Sequence, residues 1–196
     1  MDKLELYLLF INLLTFALFT IDYLHWNRTG KELFNHATLG LFAVAGGGVG
    51  MLAAFLVWDR KVVKDNVAWR FIAILSIIVW CFVVAFYYGY LTFDVNQLFT
   101  GIDPGFLRGL GIYLLVINVI TFAVFVYDKR QALRNGWRVR EFVLLGLSLL
   151  GGALGGLIAM RVAHHKTRVY YFVIGLPLMI VIHVASFIAL HAAGVF

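Results

Sequence analysis

Asn12 and Asn118 are the residues best placed for chemistry, because each puts an amide near the middle of a long apolar run. At 100° per residue on a helix, Thr15 falls about 60° and Asp22 about 80° round from Asn12, so one stripe carries all three. Asn118, Thr121 and Asp128 repeat that stripe. Amides at the centre of a bilayer present N–H donors and carbonyl acceptors that can replace part of a small solute's or ion's hydration. Solute binding or pore lining by Asn12, Thr15, Asn118 and Thr121 is therefore one expectation. The other is that each Asn makes an interhelical hydrogen bond, worth about 1 kcal/mol in a membrane, and only fixes packing.

Two glycine clusters accompany the stripes: Gly46, Gly47 and Gly50, then Gly151, Gly152 and Gly155. Their small-x-x-x-small spacing lets helices touch backbone to backbone. Alternatively, paired glycines break the helices and turn free carbonyls toward a cation. Charges at the ends of the runs are candidates for mouth or gating groups: Asp22, Asp128, Arg60, Lys61, His165 and Lys166. If each run crosses the membrane once, Asp22 shares a face with His164, His165 and Lys166, and Asp128 shares the other with Arg60 and Lys61. Read blandly, these are solvated helix ends, where an exposed ion pair is worth at most about 1 kcal/mol. Glu141, at a helix start, is favourable there by itself. His25, His36, His164 and His165 have no ligand spacing and no cysteine support, so no metal site is expected. His183 lies well inside a run, where a proton-handling role competes with a single core hydrogen bond.

The elements that must position these groups are membrane helices. The chain has 196 residues, 63% hydrophobic and only 13% charged, against roughly a quarter charged in a soluble domain. That excludes an ordinary soluble enzyme and a disordered chain. A net charge of +6 would raise nucleic-acid binding in a soluble protein. Here the basic residues sit between apolar runs, so no nucleic-acid partner is expected. Cys81 is the single cysteine and lies within an apolar run. Six runs are near the ~20 residues a crossing helix needs: Leu6–Ile21, Ala37–Trp58, Phe71–Phe93, Gly109–Tyr127, Phe142–Met160 and Val169–Leu190. The first does not read as a cleaved signal peptide. With six crossings, ten Lys and Arg fall on one side and six on the other. The basic excess places both termini in the cytoplasm, in a cell inner membrane.

The chain also reads as a tandem repeat. A shift of 106 positions superposes Tyr7–Asp22 on Tyr113–Asp128 with ten of sixteen residues identical, Asn12, Thr15 and Asp22 among them. A shift of 105 matches Gly46, Gly47 and Gly50 to Gly151, Gly152 and Gly155, and Lys61 to Lys166. Three crossings per copy would turn the second copy upside down, the inverted-repeat layout of secondary transporters. The expected organisation is a first three-helix repeat at 1–91, an outer-face linker at 92–107 and a second repeat at 108–196.

Asn118-x-x-Thr121-Phe122, Asp128-Lys129, Trp137-Arg138-Val139-Arg140-Glu141, Gly151-Gly152-x-x-Gly155 and His165-Lys166-Thr167 resemble the bacterial membrane family called domain of unknown function 1294. The resemblance covers about Ile112–Phe172. The first copy keeps the Asn-Thr-Phe-Asp and glycine elements, but lacks a Lys after Asp22 and the Trp-Arg-x-x-Glu element. It has Arg60-Lys61 in place of His165-Lys166, and the second copy has Arg140 where the family pattern leads one to expect Pro. What the resemblance implies is a polytopic membrane protein without an assigned activity. No nucleophile–base pair, phosphate cradle or cofactor loop stands out, so neither catalysis nor a cofactor is expected. The expected function is movement of a small solute or ion through a midplane site between repeats, with the lipid bilayer as the constant partner. The rivals are a membrane interaction or assembly protein, and a lipid-modifying enzyme built on His164, His165 and Asp22.

Overall fold

A computed structural model describes residues 2–58, 64–92, 94 and 101–195. Among them every regular element is helical, and six helical stretches are long and apolar enough to cross a membrane. The chain divides into two compact units, Met1–Cys81 and Phe82–Phe196. The division falls inside the third long helix, ahead of the 92–107 segment expected to be the linker, part of which lies outside the described residues.

In the first unit, α1 (Lys3–Thr29) starts on a capping box, Asp2 with Glu5, and stops at Gly30 with φ 68°. At 1.5 Å per residue its 27 residues extend about 40 Å, more than the ~30 Å hydrocarbon layer. The next stretch is broken: α2 (His36–Phe42) and α3 (Gly48–Trp58) meet at a π-helical turn, Ala43–Gly47, where Gly46 has φ 116°. Only glycine takes that backbone conformation without steric cost.

Hydrogen-bond register fixes the direction of each arm. Asn12 bonds Gly50, and Thr20, eight residues further along α1, bonds Trp58, eight residues further along α3. So α3 runs parallel to α1. The chain enters α2 beside Asp22, which accepts from the N–H groups of Leu33 and Phe34. It reaches Tyr7, near the start of α1, at Ala45, so α2 runs antiparallel. Together the arms form a re-entrant hairpin that leaves at the end where it entered. The 7 and 11 residues of the two arms extend about 10 and 16 Å, each well short of the ~30 Å hydrocarbon layer. α4 (Lys64–Tyr87) then descends past the hairpin, with Trp69 against Phe19, Ser76 bonded to Ala43 and Trp80 bonded to Val44.

The second unit is built the same way. α5 (Pro104–Leu133) is capped by Asp103. α6 (Glu141–Leu147) and α7 (Ala153–Val162) meet at the turn Ser148–Gly152, where Gly151 has φ 112°. Asn118 bonds Gly155, and Asp128 bonds His165, ten residues further along both segments. α7 is therefore parallel to α5. Asp128 also holds Val139 while Tyr113 holds Leu150, so α6 is antiparallel. α8 (Tyr170–Ala192) packs along both arms. Phe125, Leu144, Ala159, Met160, Phe172 and Leu176 form the core that this packing buries.

These directions correct two expectations. The stretches Ala37–Trp58 and Phe142–Met160 are long enough to span, but each turns back at its positive-φ glycine. Each unit consequently has two helices that run its full length and one stretch that folds back on itself. The argument for an inverted second copy required an odd number of crossings, and it no longer holds. The division of Lys and Arg into ten and six rested on the same six crossings.

Candidate functional site

At the tip of each hairpin the backbone is broken inside an apolar stretch, where an exposed N–H or C=O would be costly in a bilayer. The flanking helix supplies the missing partners. Asn12 Nδ2 donates to Leu8 O (2.7 Å) and Gly46 O (2.9 Å), and its Oδ1 accepts from Gly50 N–H (2.8 Å). Asn118 repeats this with Leu114 O (2.8 Å), Gly151 O (3.0 Å) and Gly155 N–H (2.6 Å). One turn before each Asn, a tyrosine caps the preceding carbonyl: Tyr7 on Ala45 and Tyr113 on Leu150, both at 2.6 Å. In the first unit Trp80 and Ser76 cap Val44 and Ala43. In the second, His183 Nε2 lies 2.8 Å from Leu149 O.

Thr15 and Thr121 are fully buried and donate to Ile11 and Ile117, one turn back on their own helices. A Cβ on Gly47 or Gly152 would collide with these threonine hydroxyls, and one on Gly50 or Gly155 with the main-chain oxygen of Asn12 or Asn118. The glycines divide into two roles. Gly46 and Gly151 break the helix, while Gly47, Gly50, Gly152 and Gly155 admit the flanking helix. Asn12 and Asn118 have both roles of their amides engaged by backbone, so the geometry gives them a clamp and leaves no amide hydrogen turned toward a solute. The expected stripe of Asn, Thr and Asp is real, but it faces a hairpin.

At the base of the second hairpin lies a buried charged network. Asp128 is 0% exposed. Its Oδ1 accepts from Val139 N–H at 3.0 Å and lies 3.8 Å from Arg138 Nε. Its Oδ2 lies 2.8 Å from His165 Nε2 and 3.7 Å from Lys166 Nζ. Lys166, its side chain only 4% exposed, also reaches Glu141 Oε1 at 2.8 Å and sits 5.1 Å from the centre of the Phe172 ring. The Tyr171 hydroxyl donates to the other Glu141 oxygen. α5 contributes Asp128, α6 Glu141, the turn after α7 His165 and Lys166, and α8 Tyr171. The backbone of Lys166 is left-handed (φ 57°), as is that of His164 (φ 45°), a conformation that costs about 1–2 kcal/mol for a side chain with a Cβ. The ion pairs hold it.

This arrangement corrects the expected pairing of end charges. His165 and Lys166 meet Asp128 of their own unit, because the hairpin carries α7 back to the end where α6 began. Asp22 instead accepts two backbone N–H groups within its own unit. Arg60 and Lys61 lie outside the described residues. Among the described residues no group of three or more His, Cys, Asp and Glu is arranged to hold a metal. Tyr171 and the two capping tyrosines are not among the expected site residues. Tyr7 and Tyr113 had a signal, recurring in register in the two units, whereas Tyr171 had none.

The profile of the family described as "Protein of unknown function (DUF1294)" matches residues 118–172. An uncharacterized protein of Bacillus subtilis (strain 168), YsdA, is 40% identical over 70 residues, which is 36% of this chain and 79% of the relative. The chain belongs to this family. The matched DUF1294 segment begins at the clamp residue Asn118 and ends at Phe172 beside Lys166. It therefore encloses the entire second hairpin, from tip clamp to base network. No solved structure matches the chain.

Proposed function

We propose that this DUF1294 protein moves a small solute or ion across a cell inner membrane, passively or coupled to an ion, with the tips of its hairpins as the selective element. One observation carries the reading: both units interrupt a helix at a positive-φ glycine, and the carbonyls of Gly46 and Gly151 at the breaks are held by side-chain amides. Discontinuous helices of this kind form midplane sites in secondary transporters. The recurrence of clamp, turn and glycines in both units supports descent by tandem duplication. The reading includes no catalysis and no cofactor.

The test is flux of K⁺, Na⁺, Cl⁻ and H⁺ into proteoliposomes. Flux above that of protein-free vesicles, altered by Gly151→Ala in protein that still elutes as a folded species, is the expected result. Absence of flux for the whole panel removes this reading. It would favour a membrane interaction or assembly protein, which the full engagement of the asparagine amides within their own units supports.

A further inference from the structure

We infer that the end of each unit where its hairpin enters and leaves is the cytoplasmic end, and that in the second unit this end docks on the anionic headgroups of the cytoplasmic leaflet. The charges of each unit lead there independently. In the first unit, with 59–63 left aside, Arg28, Lys31, Lys64 and Arg70 belong to the hairpin-base end and Lys3 to the opposite end. In the second, Lys129, Arg130, Arg134, Arg138, Arg140, Arg161, Lys166 and Arg168 belong to the base end and Arg108 to the other. Four to one and eight to one replace the weak division that six crossings gave. Loops rich in Lys and Arg stay in the cytoplasm, so both chain ends lie outside. The hairpin geometry came from hydrogen bonds alone, and the charges segregate only once it is adopted.

The docking surface follows from what the base leaves uncovered. Asp128 and Glu141, the carboxylates of this end, are already paired with His165, Lys166 and Tyr171. Arg130, Arg134, Arg140, Arg161 and Arg168 stand exposed. Guanidinium groups match phosphate oxygens in two-point geometry, and basic clusters at a membrane end bind anionic lipid. Trp137 (85% exposed) and Phe142 (84%) flank the same turn, the residue types that anchor at the headgroup level.

Topology is tested by placing a single cysteine at 134, 167 or 195 in a Cys81→Ser background and adding a membrane-impermeant maleimide to right-side-out or inverted vesicles. Labelling of 134 and 167 from the cytoplasmic side, and of 195 from outside, is expected. Six full crossings would instead put 134 and 195 on one side and 167 on the other, overturning the inference. So would the mirror pattern. Docking is tested by melting the purified protein with short-chain phosphatidylglycerol, phosphatidylcholine or inorganic phosphate. Phosphatidylglycerol should raise the melting temperature most, and replacing Arg130, Arg134, Arg140, Arg161 and Arg168 by Gln should at least halve that rise. Equal shifts with phosphatidylcholine or with inorganic phosphate would overturn the lipid assignment while leaving the topology to its own test.

Discussion

Gly155→Ala is the sharpest probe of the hairpin clamp. The new Cβ would overlap the main-chain oxygen of Asn118, which belongs to the backbone of α5 and cannot swing aside. α7 must therefore withdraw by about 1 Å to regain van der Waals separation. Withdrawal stretches the Gly155 N–H to Asn118 Oδ1 bond from 2.6 Å and strains the 3.0 Å bond from Asn118 to Gly151 O. Overpacking costs about 1–3 kcal/mol, and each bond released costs about 1 kcal/mol more. The expected loss is about 3–5 kcal/mol. Gly111→Ala is the internal control: it lies in α5, and nothing stands within 4 Å of its Cβ. Helix propensity favours alanine there by up to about 1 kcal/mol, so it should be neutral or slightly stabilising. Reversible unfolding in mixed micelles with rising sodium dodecyl sulfate reads both. If Gly155→Ala unfolds at the same midpoint as Gly111→Ala, the close approach of α7 to α5 is refuted, and with it the parallel register.

Other substitutions address the remaining contacts. Asn118→Leu leaves Gly151 O and Gly155 N–H without their side-chain partner and should cost about 2–3 kcal/mol, with Asn12→Leu doing the same to the first unit; the same unfolding titration measures both. Gly151→Ala puts a Cβ on a residue with φ 112° and should cost about 1–3 kcal/mol, more than Gly30→Ala at an exposed helix end, a ranking that thermal melting can check. Lys166→Met leaves Asp128 and Glu141 short of a buried cation and should cost about 3–5 kcal/mol. Pairing it with Glu141→Gln in a double-mutant cycle should give a coupling of at least about 0.5 kcal/mol, and additive single effects would show the ion pair to be idle.

Much of the molecule was legible in its residues, and the missing part has an identifiable reason. Asn12, Thr15, Gly46, Gly47 and Gly50 recur as Asn118, Thr121, Gly151, Gly152 and Gly155, and each of these participates in the clamp. Their target was hidden. About 20 apolar residues look alike whether a helix runs straight through the bilayer or folds at its centre, since hydropathy carries no direction. The glycine pair permitted a break without requiring one. The one other trace was the mediocre ten-to-six division of Lys and Arg, which followed from the same single crossings that put His165 and Lys166 at the end opposite Asp128. Glu141 read as an ordinary helix start because its partners, Lys166 and Tyr171, are 25 and 30 residues away and become neighbours only through the fold-back.

The order of elements along the chain has a consequence for how the molecule is made. In each unit the long helix that carries the clamp, α1 or α5, precedes its hairpin. The helix bearing Tyr, Asn and Thr is therefore synthesised before the broken stretch that it clamps, and is available as a template. A newly made apolar stretch of this length would otherwise be threaded through as a straight span. The template offers the carbonyls at the break a partner on the side of entry, so each hairpin is an element whose final shape is written in the segment synthesised before it.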